Sequence, residues 1–186
     1  MPEPDATTAG RILEVALELF TERGYEGTSL REVAERLNLT TPALYYHFSS
    51  KELLLVNLVR PVLERTDELI DGSRSAANSA DARRALLSSY LDLLLDCRPL
   101  FRFLGRDVSA LNRNGIGARI EEQERKLRTL LVGPRAKERA HVRAAAAIGS
   151  LRHPVVDLPA VDLWPEREAL LDSAMAVLHC HRTKVP

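Results

Sequence analysis

The sequence is poor in the features that mark a secreted, membrane-bound or catalytic protein. Among 186 residues there are two cysteines, Cys97 and Cys180, too few and too distant for a disulfide framework. They read more simply as small buried hydrophobes in a reducing compartment. No apolar run approaches the ~18 residues of a membrane span, and the N-terminus lacks a basic-then-apolar leader, so the expectation is a cytoplasmic protein with no membrane partner. Charge of one sign is lacking as well. Lys+Arg and Asp+Glu are both 26, the formal net charge is +0, and no global basic field announces a nucleic-acid partner. Glycine-rich phosphate loops, a nucleophile elbow and metal-ligand spacings are missing, and the histidines are scattered. The expectation is therefore no enzyme, no cofactor and no metal, although a triad assembled by the fold leaves no trace in spacing. His179-Cys180-His181 does not alter this, because consecutive residues on a helix point about 100° apart and do not converge on one ion.

What is present is helical periodicity. Ile12, Ala16, Leu19 and Phe20 share the inner face of a first helix that Gly24 stops. Ser29 and Glu32 have the S-x-x-E spacing of a capping box, which starts a second helix with Val33, Ala34 and Leu37 inward. Asn38 tolerates the left-handed exit, and Thr41-Pro42 starts a third. On that helix Leu44 and Phe48, four apart, point inward, leaving Thr41, Ala43, Tyr45, Tyr46 and His47 to solvent or a partner. The alternative for the aromatics is an ordinary half-exposed helix with tips hydrogen-bonded to neighbours. Ser49-Ser50-Lys51-Glu52 repeats the capping-box spacing and opens a fourth helix that Pro61 interrupts.

Two short helices and a tight turn with this flanking pattern resemble the DNA-binding domain of TetR (tetracycline-repressor-like) transcriptional regulators. The resemblance rests on Ile12-Leu13-x-x-Ala16-x-x-Leu19-Phe20, then Gly24-Tyr25-x-x-Thr28-Ser29, then Leu44-Tyr45-Tyr46-His47-Phe48-x-x-Lys51-Glu52-Leu53-Leu54. It covers about the first sixty positions; the remainder fits by architecture. It implies a homodimer on double-stranded operator DNA, released by a small-molecule effector. It also implies phosphate contacts or groove walls from Tyr45, Tyr46 and His47, base-facing positions at Thr41 and Ala43 beside Pro42, a phosphate contact from Lys51, and backbone contacts at Thr28 and Thr40. Ala43 is suited to a thymine methyl and cannot hydrogen-bond a base edge. Up to Arg60 the bases are Arg11, Arg23, Arg31, Arg36, Lys51 and Arg60, against the acids Glu3, Asp5, Glu14, Glu18, Glu22, Glu26, Glu32, Glu35 and Glu52. DNA binding must therefore come from local placement of hydroxyls, Lys51 and helix N-termini. The competing classes are a constitutive DNA-binding dimer without effector, a helical enzyme, and a metal or thiol sensor.

Beyond Arg60 no stretch alternates with period two, so the chain is expected to be all-α, with a helix-turn-helix domain over 6–66 and a helical effector-binding and dimerisation domain over 67–186. Gly72 to Ser79 reads as a loop, Asp81 as the cap of a helix ending before Pro99, and Pro99 to Asn114 as one short helix with a turn at its end. Ile116 to Val132 is a long charged helix, Gly133-Pro134 a break, and helices over Arg135–Leu151 and Glu166–Cys180 close the sequence. The small residues of the first and the stripe on the second suggest a dimer interface through Ala140, Ala144, Ala147, Leu151, Leu170, Leu171, Ala174 and Leu178; alternatively both helices merely complete the protomer's core. Tyr90, Phe101, Phe103, Leu104, Leu111 and Trp164 are candidates to line an effector pocket, and are equally at home in a core. Pro61 is a candidate pivot for an effector-driven tilt of the DNA-reading helix, and equally a tolerated kink.

Overall fold

The spacing of Ile12, Ala16, Leu19 and Phe20 is realised in the computed structural model, which describes residues 8–73 and 79–180, as the buried face of α1 (Thr8–Arg23). Gly24 ends it at φ +76°, a left-handed conformation that costs glycine little, with its N–H on the Phe20 carbonyl. There follow α2 (Leu30–Arg36), α3 (Thr41–His47), α4 (Lys51–Gly72), α5 (Ala80–Asp96), α6 (Arg98–Arg106), α7 (Val108–Leu111), α8 (Ile116–Val132), α9 (Glu138–Asp157) and α10 (Arg167–His179). No strand occurs among the described residues, so the fold class is all-α.

Several boundaries differ from those that periodicity suggests, each for a local reason. Ser79, not Asp81, caps α5 by accepting from the Ala82 N–H; the loop expected from Gly72 to Ser79 lies for the most part, at 74–78, outside the described residues. Ser50 rather than Ser49 caps α4 through the Leu53 N–H. The stretch after Pro99 is two helices, because the Asp107 carboxylate accepts from the Ala110 N–H and starts α7 anew. The Gly133–Ala136 turn delays α9 to Glu138, and Val155, fully buried four residues after Leu151, extends its apolar face to Asp157 through Pro154. α4 is likewise one continuous helix through Pro61.

The chain packs as two compact units that a single cut after residue 66 does not describe: Met1–Pro61 with Pro99–Ala118, and Val62–Arg98 with Arg119–Pro186. In the first, Phe20 packs at 5.4 Å on Tyr25 and at 5.4 Å, stacked, on Phe103. Large rings of this kind contribute roughly 1.5–3 kcal/mol each on burial. In the second, α5, α9 and α10 pack on one another through Leu87, Leu91, Leu94, Leu151, Leu171 and Leu178. Arg167 ties α10 to Asp92 and Ser88 of α5, and Arg84 ties α5 to Glu168 and Asp172. Gln123 is buried but satisfied, donating to the Leu63 carbonyl and to Asp67.

This packing corrects the proposed dimer residues. Ala144, Ala147, Leu151, Leu171, Ala174 and Leu178 are at most 5% exposed within one protomer, so their side chains are consumed by the contact of α9 with α10 and α5. Ala140 and Leu170 remain half-buried.

Asp107 fastens the two sequence-distant parts of the first unit. Its Oδ2 accepts from the Tyr25 N–H at 2.6 Å, and its Oδ1 from the Ser109 hydroxyl at 2.5 Å and the Ala110 N–H at 3.1 Å. Burial alone would raise its pKa, but these hydrogen bonds outweigh it and hold the carboxyl below its ordinary value. A depressed carboxyl contributes stability above its unfolded pKa and loses it as pH falls through the folded one. Asp107→Asn should therefore cost about 1–3 kcal/mol in urea unfolding at neutral pH. The gap from wild type should narrow on acidification below about pH 4; a gap that widens there would show that the carboxylate is not the cause.

Candidate nucleic-acid interface

α2 and α3 are joined by a turn that local hydrogen bonds fix at both ends. At the start of α2 the Ser29 hydroxyl accepts from the Glu32 N–H, while the Glu32 carboxylate accepts from the Ser29 N–H at 2.8 Å. That reciprocal box lowers the Glu32 pKa, chiefly through the Ser29 backbone bond. At its end Asn38 takes φ +55°, its N–H reaching the Glu35 carbonyl and that of Leu39 the Ala34 carbonyl. These are the two bonds of a Schellman exit. Thr40 then caps α3, its hydroxyl accepting from the Ala43 N–H at 3.3 Å. Pro42 sits in the first turn, where a missing N–H costs nothing.

Leu44 and Phe48 anchor α3 inward at 0% and 5% exposure. The opposite face carries Ala43, Tyr45, Tyr46 and His47, all exposed, with Thr41 half-buried beside them. Tyr46 is 87% exposed and meets His47 edge-on, ring centroids 5.4 Å apart. Neither tyrosine is folded back into the protein, so the aromatic tips stand ready for a partner.

Two residues expected at the interface are otherwise engaged. Thr28 is 3% exposed, and its hydroxyl donates to the carbonyls of Leu19 and Gly24, closing the α1 exit. Lys51 donates from Nζ to the carbonyls of Tyr25 at 2.8 Å and Thr28 at 3.0 Å, lies 4.3 Å from the centroid of the Tyr25 ring, and has Glu26 at 4.0 Å. An ammonium has three donors, and these acceptors engage it internally. Lys51 thus has a structural role within this unit. Tyr25 is the hub that residue spacing did not reveal: it is fully buried, and burial, followed by the Glu52 carboxylate, pushes its phenol up to about 12. Arg113 also lies over its ring while pairing with Glu26.

The candidate effector residues divide between the two units. Phe103, 2% exposed, is in the first unit against Phe20, as are Leu104 in its core and half-buried Phe101 and Leu111. Tyr90 is buried in the second unit, where burial and then the Glu124 carboxylate raise its pKa, whereas Trp164 is 49% exposed. What the second unit does hold is a polar cavity of about 440 Å³ lined by Asp67, Ile70, Asp71, Arg119, Glu122, Gln123 and Lys126. The signal for it was the i, i+3, i+4 run of charged residues on α8, which reads in sequence as a solvated face. Among the described residues no group of three or more His, Cys, Asp and Glu is placed to hold a metal, and no helix is long and apolar enough to cross a membrane.

A capped helix-turn-helix presenting an aromatic outer face, followed by an all-helical body, defines the class as that of the helix-turn-helix proteins. Residues 12–58 match the family described as bacterial regulatory proteins, tetR family. The chain is 38% identical over 88 residues to the HTH-type transcriptional activator FasR of Mycolicibacterium smegmatis, covering 47% of this chain and 38% of that one. It is 32% identical over 82 residues to the biofilm operon icaADBC HTH-type negative transcriptional regulator IcaR of Staphylococcus aureus, covering 44% of each. These matches span about half the length of those relatives or less. A TerR/AcrR-family transcriptional regulator from Aquifex aeolicus superposes with a TM-score of 0.68 at 27% identity, over 89% of this chain and 96% of that structure. Residues 12–58 thus carry the DNA-binding domain pattern of the tetR family, and the helical body that follows shares the fold of a regulator of that kind.

Removing the Lys51 ammonium takes the side-chain donor from the Thr28 carbonyl and leaves that of Tyr25 with the Thr28 N–H alone, so Lys51→Ala should lower stability by about 1–3 kcal/mol in thermal unfolding of the whole chain. The salt dependence of DNA binding should be unchanged. An unaltered unfolding midpoint with a salt slope shallower by about one would return Lys51 to a phosphate.

Proposed function

We propose that the chain is a homodimeric, effector-responsive regulator that places α3 of each protomer in a major groove of double-stranded DNA. The observation that carries this reading is the outer face of α3: Tyr45, Tyr46 and His47 project from a helix whose ends and inner face are fully committed. Phosphates are met by the tyrosine hydroxyls, His47 and the helix start at exposed Thr40 and half-buried Thr41, and bases by Thr41 and the Ala43 methyl. Selectivity therefore rests partly on DNA shape. The relatives FasR and IcaR, an activator and a negative regulator by name, support transcriptional control without fixing its sign.

The second copy docks on the outward side of α9 and α10. There Val142, 62% exposed, recurs with exposed Ala145 and Ala146 and with Gly149, where an added Cβ would meet nothing within 4 Å. Small residues at this spacing admit a close helix approach, and exposed Ala169, Ser173 and Ala176 repeat it on α10. The polar cavity lined by Asp67, Arg119 and Gln123 gives the body an opening within the size range of small-molecule sites.

Selection of bound duplexes from a random DNA pool, followed by fluorescence anisotropy on the winner, tests the reading. Tyr46→Ala should weaken binding similarly across operator variants, whereas Thr41→Ala should change base preference. Because Lys51 is engaged and Arg23 and Arg31 pair with Glu32 and Glu35, few cations are left for phosphates. The plot of log affinity against log salt should then be no steeper than about −5 for the dimer. Failure to enrich any duplex, or a Tyr46→Ala variant that binds as wild type, would overturn the assignment. Val142→Glu combined with Ala146→Glu should give monomers in sedimentation, since an interface of roughly 1,000 Å² does not tolerate two unpaired charges; persistent dimers would place the interface elsewhere.

A further inference from the structure

The first unit holds a second cavity that the DNA-reading face does not use. It has a volume of about 220 Å³ and is lined by Phe20, Thr21 and Gly24 from the end of α1 and by Arg102, Phe103 and Arg106 from α6, with Asp107 at its edge. Phe20 and Phe103, stacked at 5.4 Å, give it an apolar wall. Arg102 and Arg106 are one helical turn apart and project into the same space. The only carboxylate among the lining residues, Asp107, already accepts from Tyr25, Ser109 and Ala110. The Nε of Arg102 is buried without a hydrogen-bond partner. An Nε–H left unmatched is costly, and a carboxylate, with two oxygens in the spacing of the guanidinium fork, is the acceptor that matches the half-buried Arg102 side chain.

We infer that this cleft binds a small organic monoanion, a carboxylate on a short apolar body, with the carboxylate on Arg102 and the apolar part against Phe20 and Phe103. The site lies in the unit that reads DNA and is separate from the polar cavity of the helical body, so it goes beyond the effector reading above. Its ligand touches α1 and α6 together and thereby joins the two sequence-distant parts of that unit.

Calorimetric titration of the full chain with benzoate, benzamide and inorganic phosphate tests this. Benzoate should bind saturably at one site per chain, benzamide should not, and phosphate should bind at least about tenfold more weakly for want of an apolar body. Arg102→Gln should weaken benzoate about tenfold or more, with its unfolding midpoint recorded alongside. Arg102→Lys, which keeps the charge but removes the fork, should weaken it as well and serves alone if the glutamine variant does not fold. Absence of saturation by benzoate, equal binding of benzamide or phosphate, or unchanged benzoate affinity in the folded Arg102 variants would each overturn the proposal. DNA binding by the same variants in the absence of benzoate should match wild type, so a failure here is distinguishable from a failure of the regulator assignment.

Discussion

One ammonium group fixes the geometry on which the DNA-reading unit depends. Nζ of Lys51 gathers the carbonyls of Tyr25 and Thr28, the segment between α1 and α2 that no helix ladder satisfies, and pins them to the first residue of α4. Backbone oxygens outside regular structure must find a donor or water. Here a single side chain supplies the donor and its charge also rests on the Tyr25 ring. Since α2 leaves from Ser29 and α4 leads away from Ser50, the clasp sets both ends of the segment that contains α3. The recognition helix owes its position to contacts made on the far side from its aromatic face.

Local chemistry was largely readable from the sequence. The α1 face, the Ser29–Glu32 box, the left-handed Asn38 and the inward pair Leu44 and Phe48 all follow from rules that act over a few residues, and each is found. So are the Ile116–Val132 helix and the turn before it, with Asn114 and Gly115 at positive φ. What spacing could not supply was the choice among competing partners. Lys51 and Thr28 carry polar groups that suit a phosphate equally well in the abstract; only the fold shows carbonyls within reach first. Likewise an alanine-rich helix presents small residues on every side, and Ala144 and Ala147 turn inward while Ala145 and Ala146 turn outward by the helical pitch alone. The aromatic residues after Pro99 failed as a pocket for a related reason: apolar rings signal burial but not which unit buries them.

Charge behaves differently in this molecule from what its balanced composition suggests. Most of the ion pairs are exposed and contribute little each, while those between α5 and α10 recur at Arg84 and Arg167 and link the two helices at two points. Several of the bases before Arg60 are likewise spent in fixing helices, Arg23 and Arg31 on carboxylates and Lys51 on carbonyls.

Asp107 and Tyr25 meet across 82 intervening positions. On a ribosome the helix-turn-helix emerges early, yet the carboxylate that closes its Tyr25 N–H and the ring that covers Phe20 arrive only after α4 and α5 have been made. Until then the most hydrophobic part of the DNA-reading unit stays uncovered. Because closing so long a loop delays the contacts that reward it, the module that looks most autonomous in the sequence depends for its complete core on residues that lie far beyond it.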